Sequence, residues 1–380
     1  MNATPIIADH LIFKPGDVEL SYSPLRNGIK ENTFVLGTFN PGLCRLPNGN
    51  LLMIVRVAEA LSNSVKGDSV HSIRWDSEKR FVIDAWPLIE VDMKDPRKFR
   101  IKTYDFPVYA LTSLSWLLPV ELNADGTAVI KVHYDKIISP QFTSQEYGIE
   151  DARISTIENQ YYMTACCVGS ERHSTMLYVS DDGLNYKCLG IVLDHQNKDM
   201  LVFEGRINNI YYALTRPLGE NYFATPPSST YHSCASVQMS SSRDLLHWKP
   251  SDTAFLRARR SSLSNMKIGG GTPPLLTPYG WLMLYHGVEK KGEVGIYRTF
   301  WALLDKDDPL KITRLEDKVP LLEANPLLTD GISHQKYLED VVFTTGIVEH
   351  GDDFIIASGE LDLACRITRI SKKYFSSEHF

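Results

Sequence analysis

Apolar positions along the chain fall in short runs, and long stretches of helical period are scarce. Runs rich in Val, Ile, Tyr, Phe and Trp alternate with Gly, Asn and Asp, which is the chemistry of strands and turns. A repeat organises them. Its unit is a strand, a turn with a small or polar residue, and a strand carrying Tyr, Trp or Leu. Phe39-Asn40-Pro41 leads through Leu46-Pro47-Asn48-Gly49-Asn50 into Leu51-Leu52-Met53-Ile54-Val55-Arg56. Glu150-Asp151-Ala152-Arg153-Ile154 leads into Tyr161-Tyr162-Met163-Thr164, and Phe203-Glu204-Gly205-Arg206-Ile207 into Ile210-Tyr211-Tyr212-Ala213-Leu214. Pro273-Pro274-Leu275-Leu276-Thr277 leads into Trp281-Leu282-Met283-Leu284-Tyr285-His286, and Val341-Val342-Phe343 into Phe354-Ile355-Ile356-Ala357-Ser358, which makes five copies.

One copy has too few strands to bury a core, whereas five set radially bury their faces against each other. The pattern therefore predicts an all-β chain, a five-bladed β-propeller of about 60–75 residues per blade, insertions included. A two-sheet β-sandwich is the alternative. Residues 1–36 read as an N-terminal extension, 37–365 as the propeller, and 366–380 as a C-terminal tail that closes it. Residues 90–147 fit the repeat poorly, and Pro107 and Pro119 interrupt the strand reading there.

In a propeller the innermost strands line a central channel, so chemistry is expected at equivalent places in the repeat. Asn40 and Arg56 flank the first hairpin, Asp151 and Arg153 open the second copy, and Glu204 and Arg206 the third. Lys267 and His286 bracket the fourth, and Asp362 follows the fifth. Charges on inner strands are costly unless paired or used, so their recurrence points to a polar, ligand-filled channel. Plainer readings are surface ion pairs for the Asp–Arg, Glu–Arg and Arg56–Glu59 combinations, a surface lysine at 267, and a hydrogen-bonded core histidine at 286.

Composition narrows the classes of partner. Lys and Arg total 40 against 46 Asp and Glu, a net charge of −6 over 380 residues. That argues against a nucleic-acid binder working by phosphate neutralisation, while one basic pocket for a small anion stays open. The strongest apolar run near the N-terminus, Leu51 to Val55, is too short to span a bilayer, and Met1 to Phe13 lacks the basic start of a secretory signal. The six cysteines show no C-x-x-C pair and no zinc-finger spacing, which reads as reduced, buried thiols in a cytoplasmic protein. His195, His232 and His247 lack ligand spacing, so no metal is expected. The run Gly269-Gly270-Gly271 precedes Pro273-Pro274 and a strand, unlike a nucleotide-binding loop.

Four stretches together resemble glycoside hydrolase family 130, the β-mannoside phosphorylases and β-mannosidases. Glu150-Asp151-Ala152-Arg153-Ile154 is similar to its E-D-P-R-[IV] signature. Lys198-Asp199 with Leu201-Val202-Phe203-Glu204, then Thr215-Arg216-Pro217, resemble its K-D, L-F-P-E and H-R-P segments. Lys267 through Pro274, with Gly280-Trp281-Leu282 and Tyr285-His286-Gly287-Val288, resemble its K-I-G-x-G-x-P-P, G-W-L and Y-H-G-V run, and Leu303-Leu304-Asp305 with Asp308-Pro309 its L-L-D segment. The resemblance covers about residues 37–365 and implies a five-bladed propeller.

By that resemblance Asp151 is the proton donor, acting through a substrate hydroxyl. Asn40, Arg56 and Asp362 hold the mannosyl unit with Arg153 beside them, and Lys267 and His286 bind inorganic phosphate. An inverting hydrolase needs a second carboxylate to activate water, whereas a phosphorylase needs cations to hold an already anionic nucleophile. His286 is expected to contribute as imidazolium or as a donor. Two prolines of the family pattern are missing, at Ala152 and before Glu204. The family's loop arginine is met by Arg172 in Gly169-Ser170-Glu171-Arg172-His173-Ser174; without it, hydrolysis by Asp151 with Glu204 is the better reading. The expectation is inverting phosphorolysis of β-manno-oligosaccharides to α-mannose 1-phosphate, with phosphate as co-substrate, no cofactor, and neither nucleic acid nor membrane as partner. Homo-oligomers are possible. The rivals are an inverting β-mannosidase, a carbohydrate-binding propeller and a protein-interaction propeller.

Overall fold

The computed structural model describes residues 5–193, 195–218 and 224–376. Strands dominate them, and the helices among them are short 3-10 segments, none long and apolar enough to cross a membrane. The protein is all-β, with five sheets of four or five strands and two small three-stranded sheets. Sheet I runs, from first strand outward, Thr33–Arg45, Leu51–Leu61, Ser113–Leu122 and Val129–Val132. Sheet II is Ile149–Ile157, Gln160–Val168, His173–Ser180 and Lys187–Ile191. Sheet III is Asn197–Ile207, Ile210–Pro217, Val237–Ser242 and Lys249–Leu256. Sheet IV starts with Lys267–Gly270 and Leu275–Thr277, both on Gly280–Glu289, followed by Ile296–Leu304 and Ile312–Glu316. Sheet V is Val342–His350, Asp353–Glu360, Ala364–Ser371 and, outermost, Ile6–Phe13.

Each sheet buries both faces, which is why its strands read as continuous apolar runs. In Leu51–Leu61, Met53, Val55 and Val57 pack with Ile355, Ala357 and Ile367 of sheet V. The alternate residues Leu52 and Ile54 pack with Ile149, Ile154 and Met163 of sheet II. Ile157 and Leu177 of sheet II meet Met200, Val202 and Ala213 of sheet III. Leu201, Phe203 and Leu214 turn the other way, onto Ile268, Trp281 and Met283 of sheet IV. Leu282, Leu284 and Trp301 then meet Val342, Ile347 and Ile356 of sheet V. The period-two alternation of each strand thus divides its side chains between two cores.

The segment set aside as an N-terminal extension and the expected tail both belong to sheet V, where Ile6–Phe13 pairs with Ala364–Ser371. Arg366, 2% exposed, joins them, reaching Asp9 at 2.7 Å and Glu360 at 2.9 Å. Residues 90–147 divide. The two small sheets, within residues 65–111, form an insertion between the second and third strands of sheet I. Ser113–Leu122 then resumes sheet I with Pro119 inside the strand. The Pro119 carbonyl accepts from His133 N–H on the outer side, so the missing proline N–H lies off the ladder to Leu51–Leu61.

Candidate active site

Three successive first strands carry the same interruption. Register shifts fall between Phe39 and Gly42, Glu150 and Arg153, and Lys198 and Leu201. Within them Asn40, Asp151 and Asp199 hold φ of 49°, 53° and 56°. Asn and Asp tolerate this left-handed conformation because their short polar side chains bond locally, and a bulge re-aims the side chain it carries. Three polar side chains are thereby turned away from the regular alternation of their strands.

The first cluster centres on Asp151. Its Oδ1 accepts from Asn40 Nδ2 at 2.9 Å and from Arg56 Nη1 at 3.0 Å. Arg56 also donates to Glu150 at 2.8 Å and Ser115 at 2.9 Å, and Lys198 closes the group on Glu150 at 2.8 Å. Burial opposes ionisation of Asp151, but Arg56, Arg153 and Lys198, with the Asn40 hydrogen bond, outweigh it and hold the carboxyl well below its usual range. Arg153 donates to the main-chain carbonyls of Asp151 at 2.6 Å and Gly271 at 2.7 Å. Asp362 joins from sheet V, 3.9 Å from Arg97 of the insertion. Burial pushes its carboxyl up, against the pull of Arg97 and Arg56.

The second cluster centres on Asp199. Arg216 lies 2.8 Å from its Oδ2, Arg153 3.7 Å from its Oδ1, and His286 Nε2 3.9 Å from Oδ2. Gly269 permits this approach, since a Cβ there would collide with the His286 ring and the Asp199 carboxylate. Burial first, and then the charges of Arg216, Lys267 and Arg153, push the His286 imidazole down to about 3, against Asp199. His286 is therefore neutral at neutral pH, which excludes the imidazolium, one of the two states expected from sequence alongside a hydrogen-bond donor. Its Nδ1 lies 3.2 Å from the Gly270 carbonyl, which can only accept, so Nδ1 carries the proton and Nε2 faces the site as a lone pair. Lys267 donates to Tyr297 OH at 2.8 Å. Two cations, Arg153 and Arg216, thus face the Asp199 carboxylate, and Lys267 acts with them on His286. Among the described residues, Arg153 Nη2, Arg216 Nε and His286 Nε2 are buried without a hydrogen-bond partner.

Asn40, Arg56, Asp151, Arg153, Asp362, Lys267 and His286 accordingly come together around the two clusters. Arg172 lies in the turn between Gln160–Val168 and His173–Ser180, at the end of sheet II that carries Asp151. Glu204 does not join them. It sits five residues beyond Asp199, roughly 16 Å of extended strand, where Thr156 N–H donates to it and Glu349 is its charged neighbour. The E-x-R pattern of Glu204 and Arg206 imitates that of Asp151 and Arg153, but the bulge makes Asp199 the structural counterpart of Asp151. Arg206 instead pairs with Glu158 at 3.0 Å on the surface. Sequence reading gave no role to Glu150, Lys198, Asp199, Arg216 or Arg97. All but Arg97 stand inside the motif stretches quoted above. No group of three or more His, Cys, Asp or Glu able to hold a metal occurs among the described residues.

Burial raises the Glu204 carboxyl from 4.5 to about 7. A carboxyl raised on folding binds its proton more tightly in the native state, so stability falls as pH rises from about 4.5 to 7. Glu204→Gln removes that loss. The variant is expected to resist urea better than the parent at pH 8 and equally at pH 4, with turnover within about threefold. Unfolding curves at the two pH values, with one rate assay, check this; loss of turnover returns Glu204 to the chemistry.

The family model described as beta-1,4-mannooligosaccharide phosphorylase, of glycoside hydrolase family 130, matches residues 109–374. The chain belongs to glycoside hydrolase family 130. This family 130 chain is 28% identical over 345 residues to a beta-1,2-mannobiose phosphorylase of Listeria innocua, 90% of each protein. It is 28% identical over 167 residues to a beta-1,4-mannooligosaccharide phosphorylase of Ruminococcus albus, 44% of this chain and 46% of that one. The solved beta-1,2-mannobiose phosphorylase from Listeria innocua, in complex with beta-1,2-mannobiose, gives a TM-score of 0.80 at 27% identity, covering 97% of this chain and 98% of that chain. A glycosyl hydrolase from Bacteroides ovatus, 17% identical with a TM-score of 0.63 over 96% of this chain and 95% of that one, shares the fold. As a family 130 member the protein is an enzyme that acts on β-mannosides.

Proposed function

We propose that the protein is an inverting β-mannoside phosphorylase built on a five-bladed β-propeller, releasing α-mannose 1-phosphate. The propeller reading is supported by the ring of five inter-sheet cores, in which each sheet packs on the next and sheet V packs on sheet I. The observation that carries phosphorolysis is the gathering of cations around His286 and Asp199. Arg153, Arg216 and Lys267 all act on His286, and Arg153 and Arg216 keep unmatched buried donors. Arg216, to which sequence reading gave no role, joins this group, and Arg172 stands at the same end of sheet II as Asp151. The lone pair of His286 Nε2 suits the hydroxyl of a monoprotonated phosphate.

In this reading Asn40, Arg56 and Asp362 hold the mannosyl ring beside Asp151. A phosphate oxygen attacks the anomeric carbon from the α face while the β-glycosidic bond breaks, and the departing oxygen takes a proton from Asp151 through a ring hydroxyl. The unliganded site holds Asp151 ionised. A bound phosphate anion screens Arg153, one of the cations responsible, and so raises the carboxyl toward its protonated form. Hydrolysis would need a second carboxylate poised for water, and neither Glu204, at the far end of its strand, nor Asp199, occupied by Arg216, suits that task. The relatives spanning most of the chain are named for β-1,2 linkages, so β-1,2-mannobiose is the substrate of first choice. The unpaired cysteines, most of them buried, suit a reducing cytoplasm. The reading is tested by incubating enzyme and β-1,2-mannobiose with and without phosphate. Release of sugar only with phosphate supports it, and equal release in both favours the hydrolase.

A further inference from the structure

Asp362 stands on a strained turn. Residues 361–363 join Asp353–Glu360 to Ala364–Ser371 as a tight hairpin, closed by Leu363 N–H, which donates to the Glu360 carbonyl at 2.9 Å. The two central residues of that turn, Leu361 and Asp362, hold φ of 58° and 49°. Asn-Gly is the pair that suits such a turn, and a leucine persists in the left-handed region only where its surroundings hold it there. Leu361 is buried and donates its N–H to the Val341 carbonyl at 2.7 Å. Tyr337 OH donates to the main-chain carbonyl of Asp362, also at 2.7 Å. These contacts fix the backbone and leave the carboxylate to other groups.

Charge sets the carboxylate. Asp151 and Glu150 of sheet II repel it, while Arg56 of sheet I and Arg97 of the insertion attract it. Arg56 is already divided among Glu150, Asp151 and Ser115. Arg97 is held differently. Asp95 takes its Nε and Nη2 at 3.0 Å each, and that two-point grip leaves Nη1 toward Asp362 Oδ2 at 3.9 Å. The distance is too long for a hydrogen bond, so Arg97 attracts the carboxylate while its oxygens stay open to sugar hydroxyls. The hydroxyls of Tyr297 and Tyr337 complete the titratable surroundings. Glu360, at the start of the turn, is tied by Arg366 and by Asn325 N–H.

We infer that Arg97 is a positioning residue, which from the insertion holds Asp362 as the anion that grips the mannosyl unit, so that the five sheets alone do not complete the sugar site. The inference rests on the reading of Asp362 as a mannosyl-holding residue. Without Arg97 the carboxylate faces Asp151 and Glu150 with a shared Arg56, and it takes up a proton at higher pH. A protonated Asp362 loses an acceptor for sugar hydroxyls. Affinity therefore falls as pH drops through the Asp362 midpoint, and loss of Arg97 moves that fall upward in pH.

The test is calorimetric titration of the full chain with β-1,2- and β-1,4-mannobiose, without phosphate, from about pH 4.5 to 8.5. In Arg97→Met the midpoint of the acid-side loss of affinity is expected about one pH unit above the parent's. Its deficit against the parent should widen from about threefold at the alkaline end to about tenfold or more at the acid end. Arg97→Lys, which restores the charge without the fork, should recover at least about half of the shift. Should Arg97→Met melt early, Arg97→Gln, which keeps a donor for Asp95, takes its place. A parental midpoint, or a deficit of the same factor at every pH, overturns the inference. Asp362→Asn is expected to lose about tenfold or more in affinity at the alkaline end. If it binds as the parent does, the mannosyl role of Asp362 fails, and a parent that binds neither disaccharide overturns the sugar site and the inference together. Because phosphate is absent, a protein that proves to hydrolyse its substrate leaves the inference standing.

Discussion

Asp151→Asn is expected to lower phosphorolysis of β-1,2-mannobiose by about 10²–10⁴-fold, the range of a general acid, while leaving the fold intact. The substitution keeps the shape of the side chain and an acceptor oxygen for Asn40 and Arg56, so the bulge and its contacts survive. What it removes is the proton for the departing oxygen. A substrate whose leaving group needs no proton discriminates between a catalytic and a structural loss. With a dinitrophenyl β-mannoside the variant is expected to recover at least about tenfold relative to its defect on mannobiose. An equal defect on both substrates would mean that Asp151 holds the sugar without protonating it, and undiminished turnover would place the acid elsewhere.

Arg216 is expected to matter to phosphate far more than to sugar. Hydrogen bonds to a charged partner contribute about 1.5–3 kcal/mol, so Arg216→Ala is expected to lower kcat/KM for phosphate by about 10–100-fold. The affinity for mannobiose measured without phosphate should change by less than about threefold. Truncation also leaves the buried Asp199 carboxylate, only 2% exposed, with Arg153 at 3.7 Å as its remaining arginine partner, a defect of up to about 3–5 kcal/mol. Arg216→Lys keeps the charge and loses the planar fork, so it separates the two effects. Its phosphate constant should lie between those of the parent and the alanine variant, with a near-parental melting temperature. Parallel losses for phosphate and sugar in the lysine variant would mean that Arg216 braces the site and does not bind the anion.

How much of this was legible beforehand depends on what each feature rests on. Strand positions rest on local alternation, and the repeat located the first strand of all five sheets. Sheet I also exposed the limit of local rules. Pro119 reads as a breaker, yet its missing N–H points away from the neighbouring ladder, a fact of register that no window of sequence contains. Ile6–Phe13 reads as an extension because its partner, Ala364–Ser371, lies at the opposite end of the chain. At the site, Asp151, Lys267 and His286 were legible because each stands in a short motif, and Asn40 and Arg56 because they flank the first hairpin of the repeat. Glu204 was misjudged because the repeat was aligned on E-x-R, whereas the structural equivalence runs through left-handed residues at bulges. The neutral state of His286 was not legible because it is set by three cations and burial, all from outside its own strand. Arg97 was unreadable because the insertion that carries it follows no repeat.

The central claim is that phosphate, held by Arg153, Arg216, Lys267 and His286, is the nucleophile. The measurement closest to it is phosphorus and proton NMR of the first products formed from β-1,2-mannobiose in phosphate buffer. The account predicts one α-mannose 1-phosphate and one free mannose for each bond cleaved, with the α form present from the earliest spectrum. Two free mannose molecules for each bond, with the phosphorus signal unchanged, would contradict it.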